Sequence, residues 1–134
     1  MGSLLSTSVK SGSLRGSKLL VYSECLKDEY PEILRFFQDE NLSLSVCMER
    51  THINKVGFKL FNIIKLSGIV ELNILTIDGS PHCIQLHFLG EHFKRALRVS
   101  IPINHYVIEK GKIFSIPIEA IKLARHLSQC IKYI

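Results

Sequence analysis

The feature that most constrains this chain is residues 67–89, SGIVELNILTIDGSPHCIQLHFL, in which two apolar alternations flank a short turn. Val70, Leu72 and Ile74 alternate with Glu71, Asn73 and Leu75. Beyond Asp78-Gly79-Ser80-Pro81, Ile84, Leu86 and Phe88 alternate with Gln85 and His87. Alternation with a period of two covers one face of a sheet, and Asp-Gly and Ser-Pro pairs punctuate strands. The stretch is therefore expected to form a β-hairpin around which the remaining elements assemble.

The flanking segments extend that expectation. Residues 19–23 read as a short apolar strand, and Leu42, Leu44, Val46 and Met48 alternate with Ser43, Ser45, Cys47 and Glu49. Residues 56–64 and 94–101 read as further strands, and residues 103–109 and 112–117 as a last hairpin about Lys110-Gly111. Asp28-Glu29-Tyr30-Pro31-Glu32 opens a short helix, with acids and a tolerated proline in its first turn. Ile118, Ile121, Ala124, Leu127 and Ile131 fall on one helical stripe near the C-terminus. The expected fold is α+β: a mainly antiparallel sheet of about seven strands, as a sandwich or partly open barrel, with an amphipathic C-terminal helix packed on it.

A chain of 134 residues fits one domain and buries roughly two-thirds of its unfolded surface without needing a disulfide or metal. Residues 1–18, rich in Ser, Gly and basic side chains, read as a flexible basic arm, and 19–134 as a single domain. Cys25, Cys47, Cys83 and Cys130 are scattered without a CxxC pair, so reduced thiols in a cytosolic or nuclear protein are expected. No apolar run reaches the ~18–20 residues of a membrane span, and polar residues interrupt any signal-peptide core. The net charge of +5 divides into +3 over residues 1–23, −4 over 24–50 and +6 over 51–134. That basic balance favours anionic partners, lipid headgroups or nucleic acid.

Catalytic motifs are absent: there is no GxSxG, HExxH, P-loop or GxGxxG, and no enzyme is expected. His82, Cys83, His87 and His92 lack the second ligand pair of a zinc site, so neither metal nor cofactor is expected. Met1-Gly2-Ser3-Leu4-Leu5-Ser6 fits an N-myristoylation signal with Gly2 as the acyl site. One such chain binds membranes at only about 10⁴ M⁻¹, and Lys10, Arg15 and Lys18 would each add about 1 kcal/mol at an anionic leaflet. Tyr30, Pro31 and Leu34 match the YPxₙL pattern that recruits budding adaptors, beside a plainer reading as a helix anchor. Lys94, Arg95 and Arg98 form the densest basic patch, suited to membrane or nucleic-acid phosphates.

Phe61-Asn62-Ile63, Gly68-Ile69-Val70-Glu71-Leu72, Ile77-Asp78 and Ser80 resemble a strand pair in the matrix proteins of vesiculovirus-type rhabdoviruses. The late strands and final helix are similar in layout to bornavirus-type matrix proteins. The resemblance implies a non-enzymatic matrix protein at the cytoplasmic face of host membranes and in the virion interior. It would bind anionic lipids, self-assemble as a homo-oligomer, contact nucleocapsid or RNA and recruit a budding adaptor. The alternative, from the strand-then-helix order, is a pleckstrin-homology-like cytoplasmic module for phosphoinositides or peptides.

Overall fold

In the computed structural model, described over residues 2–134, five strands form one sheet. β1 (Lys18–Ser23), β2 (Leu42–Val46), β3 (Glu71–Ile77), β4 (Ile103–Glu109) and β5 (Lys112–Ile116) lie in the order β2-β1-β3-β4-β5. β1 pairs in parallel with β2 and β3, β3 pairs in parallel with β4, and β5 alone runs antiparallel. α1 (Leu26–Glu29) and α2 (Pro31–Gln38) join β1 to β2, α3 (Ile53–Leu66) joins β2 to β3, and α4 (Ile84–Ala96) joins β3 to β4. α5 (Ile118–Ala124) and α6 (Leu127–Cys130) follow β5. The first crossover steps one way along the sheet and the later ones step the other way. Right-handed connections therefore place α1 and α2 on one face and α3 and α4 on the opposite face.

Two cores result. On one face Leu19, Val21, Leu44, Leu72 and Ile74 pack with Val56, Leu60, Ile63 and Leu86 of α3 and α4. On the other, Leu20, Tyr22, Leu75 and Ile108 pack with Leu26 and Leu34 of α1 and α2. Consecutive residues of β1 serve opposite cores, as a strand covered on both faces requires.

This is an α/β fold with a mostly parallel sheet, so the expectation of a mainly antiparallel sheet of about seven strands is corrected. Residues 56–64 belong to α3, which buries Val56, Leu60, Ile63 and Ile64 at helical spacing and turns Phe58 outward at 74% exposure. The turn after β3 exists, with Gly79 at φ +85°, but it opens a helix instead of a second strand. Ser80 Oγ accepts the Cys83 N–H at 3.1 Å, and the Ser80 carbonyl accepts the Ile84 N–H, so the chain coils at once. Residues 94–96 finish α4 and 97–101 connect it to β4. The last hairpin sits where expected, turning on Lys110 and Gly111 at φ +52° and +78°. The C-terminal stripe divides into two short helices, and only Ile121 of it is buried while Leu127 is 79% exposed.

Of the segment 1–18 expected as a flexible basic arm, residues 2–17 fold against the domain and Lys18 opens β1. Leu4 and Leu14 are fully buried in the α3/α4-side core. Leu4 N–H donates to the Ser45 carbonyl at 2.8 Å and Ser45 N–H to the Gly2 carbonyl at 3.2 Å, adding a parallel bridge to the edge of β2. Lys59 Nζ and Ser67 Oγ donate to the carbonyls of Thr7 and Val9. Two well-spaced leucines thus anchor a segment whose composition alone reads as linker.

A polar seam runs under α4. Gly90 lets the helix press close, since a Cβ there would lie 2.6 Å from Ile74 Cδ1. Thr76 Oγ1 bonds His87 Nε2 at 2.8 Å, and His87 Nδ1 bonds His105 Nδ1 at 2.9 Å, so one of the two Nδ1 atoms carries the shared proton. Fully buried Glu91 pairs with Arg125 and, at 3.5 Å, with Arg95, while its Oε2 has no hydrogen-bond partner. Burial, then the neighbouring His105, lowers His87 to about 3. Burial lowers His105 to about 4 against the opposing pull of Glu91. Both imidazoles are neutral at pH 7.

Candidate functional site

The chain leaves β1 toward β2 and leaves β3 toward β4, so no connection crosses the space above the carboxyl ends of β1 and β3. Open α/β sheets bind their ligands in this crevice. Here it is a cavity of about 510 Å³, within the roughly 300–1,000 Å³ usual for small-molecule sites. The end of β1 supplies Ser23, Glu24 and Cys25, the end of β2 supplies Cys47, Glu49 and Arg50, and the turn after β3 supplies Ser80, His82 and Cys83. Lys27 and Asp28 complete its rim.

Parallel strands bring these residues together. Tyr22 is in register with Leu75 and Ser23 with Val46, so the turns that follow open side by side. An ion pair from Arg50 to Glu24 ties the turn after β2 to the turn after β1. Buried Ser23 reaches across and donates its hydroxyl to Cys83 Sγ at 3.2 Å. Cys83 is the N-cap of α4, and no acid occupies the first turn of that helix. Cys25 differs: partial burial, then a hydrogen bond with Glu29 and the charges of Cys83 and Glu29, push its thiol up to about 11. Cys25 therefore keeps its proton at neutral pH.

The remaining chemistry is narrower. All four cysteines are free, and among the described residues no group of three or more His, Cys, Asp or Glu side chains is arranged to hold a metal ion. His87, weighed beside Cys83 as a ligand, is spent on Thr76 and His105 in the seam. A dinucleotide pyrophosphate needs glycines in the turn after β1 so that backbone N–H groups can approach it. That turn reads Ser23-Glu24-Cys25-Leu26, has no glycine, and holds the Glu24 carboxylate in the crevice. The crevice does not fit such a cofactor.

The residues singled out from sequence are dispersed. Lys10 and Arg15 line a groove beside Phe58 and Leu66 on the α3 side, and Arg15 packs over Gly68. Lys18 lies at the opposite end of the sheet from the crevice, beside Glu40 and Glu71. Lys94 donates to the Val99 carbonyl at 3.0 Å and Arg95 pairs with Glu91, so both serve the end of α4, and Arg98 follows at φ +51°. Tyr30 caps α2, Pro31 opens it and Leu34 is buried in the core, as the helix-anchor reading expects. Met1 of the acylation signal lies outside the described residues, and the Gly2 carbonyl is engaged by Ser45. Cys25 and Cys47 were not singled out from sequence; their signal is position, each lying within two residues of a strand end.

A family model described as Rossmann-like domain matches residues 11–133. No curated protein and no solved structure matches the chain. That match and the mostly parallel sheet overturn the resemblance to viral matrix proteins. The membrane-coating, self-assembling virion function falls with it, as does the pleckstrin-homology-like alternative. Among the described residues no helix is long and apolar enough to cross a membrane.

Proposed function

The chain belongs to the Rossmann-like domain family, and from that premise we propose that the crevice over β1 and β3 binds a small, phosphate-poor polar molecule, with Cys83 as its contact thiol. The observation that carries this reading is the convergence of Cys25, Cys47 and Cys83 from three strand ends on one cavity at the switch in strand order. Charge sets the ligand class. Glu24, Asp28 and Glu49 face the cavity against Lys27 and Arg50, three acids to two permanent cations. A polyphosphate finds no surplus of positive charge there and no glycine turn to cradle it, whereas an amine, an amino acid or a neutral polar metabolite does not require either. Binding without turnover is part of the proposal, since no catalytic motif accompanies the thiols.

Thermal-shift and native mass measurements with NAD⁺, ATP and a set of amino acids, amines and small thiols test it. At a hundredfold excess over Kd a ligand stabilises by about 2.7 kcal/mol, a readable shift in Tm. Phosphate-free ligands should stabilise the native protein but not protein carbamidomethylated at Cys83 or the Ser80→Trp variant. NAD⁺ or ATP binding that these changes block would overturn the ligand class. A ligand indifferent to both would place binding elsewhere.

A further inference from the structure

The same crevice carries a second chemistry. Resting on its assignment as the working site, we propose that Cys25 and Cys83 form a dithiol–disulfide couple that exchanges electron pairs with small disulfides of the glutathione type. Ser23 fixes the geometry. Its hydroxyl holds Cys83 Sγ at 3.2 Å, and Cys25 follows two residues later at the exit of the same strand, lining the same cavity. β1 and β3 are adjacent strands, and both thiols lie just beyond their carboxyl ends, lining the same cavity.

The two sulfurs are built unequally, as sequential exchange requires. Cys83 stands at the N-terminus of the thirteen-residue helix α4, exposed to the crevice, with the Ser23 hydroxyl donating to its sulfur. Cys25 is held as a thiol by its surroundings, Glu29 among them. In the first step the Cys83 thiolate attacks one sulfur of R–S–S–R; that S–S bond breaks, RS⁻ leaves, and a mixed disulfide forms on Cys83. In the second, Cys25 gives its proton to a thiolate or to solvent and attacks Cys83 Sγ, expelling the second RS⁻. The net change is two thiols plus R–S–S–R to one internal disulfide plus two RSH, with two electrons and two protons passing to the small disulfide. Closing the couple joins the turns after β1 and β3 across the crevice floor, so the oxidised crevice excludes the ligand that the reduced crevice admits.

The test exposes the full chain to oxidised glutathione, alkylates remaining thiols, and reads intact mass and linked peptides. The expected product has lost two hydrogens, carries no glutathione, and joins the Cys25 and Cys83 peptides. Cys25→Ser should stop at a glutathione adduct on Cys83, and Cys83→Ser should react at least about tenfold more slowly. Cys130→Ser should behave as wild type, because Cys130 lies in the C-terminal turns with its Sγ on the Leu123 carbonyl. A stable adduct on wild-type Cys83, or a link to Cys47 instead of Cys25, would overturn the couple. Ligand protection of Cys83 under reducing conditions is measured separately: protection without a disulfide sinks the couple alone, and a disulfide without protection sinks the ligand reading alone.

Discussion

Two imidazoles under α4 make this protein acid-sensitive. His87 and His105 have folded pKa values of about 3 and about 4, below the unfolded value of 6.5. Between those limits the unfolded chain binds protons that the folded chain refuses, so stability falls as pH falls from about 7 toward 4. At pH 5 each histidine contributes a loss of about 2 kcal/mol relative to pH 7.5. Urea midpoints at the two pH values measure it, and His105→Gln should remove about half of the difference. Glu91, paired with Arg125 and Arg95, opposes the effect on His105. Gly90→Ala tests the fit of the seam. Alanine gains up to about 1 kcal/mol of helix propensity, but a Cβ 2.6 Å from Ile74 Cδ1 and 3.1 Å from His105 Cε1 overpacks a buried contact at about 1–3 kcal/mol. Net destabilisation by thermal melting is the expected result, and a raised Tm would show that α4 can lift away.

Elements differ in how openly their sequences declare them. The β4–β5 hairpin is legible because Lys110-Gly111 supplies two positive φ angles between alternating strands. Gly111→Ala should therefore cost about 1 kcal/mol or more in a denaturant melt, with no change expected in the crevice. α4 is illegible for a physical reason: its buried side mixes Leu86 with His87, Gly90 and Glu91, so hydrophobicity carries no helical period there. Its first five residues then imitate a strand. α3 misleads differently, since Phe58 and Phe61 are exposed apolar residues that fill in the pattern between the buried ones. Read as strands, these two crossovers turn parallel pairs into hairpins, and the crevice disappears with them. Cys83 stands beside His82 in the sequence, but Cys25 and Cys47 are 58 and 36 positions away, and only parallel pairing sets them side by side. Leu34 follows the plainer of its two readings, a helix anchor packed on Leu20, Tyr22 and Leu75. Leu34→Ala should cost about 2–5 kcal/mol, checked by urea unfolding.

At the scale of the whole molecule, the segment before β1 is structural. Removing residues 2–17 takes Leu4 and Leu14 out of the core and strips the bridge from β2. The shortened protein should melt well below the full chain and sediment as aggregates. Unchanged melting would mean that the segment is an attachment and not part of the fold. The sheet consequently has one edge covered by its own chain and one edge bare, where β5 shows Ile113 and Phe114 to solvent. Copies pairing antiparallel along β5 would form a two-fold pair in which each partner uses up the other's free edge.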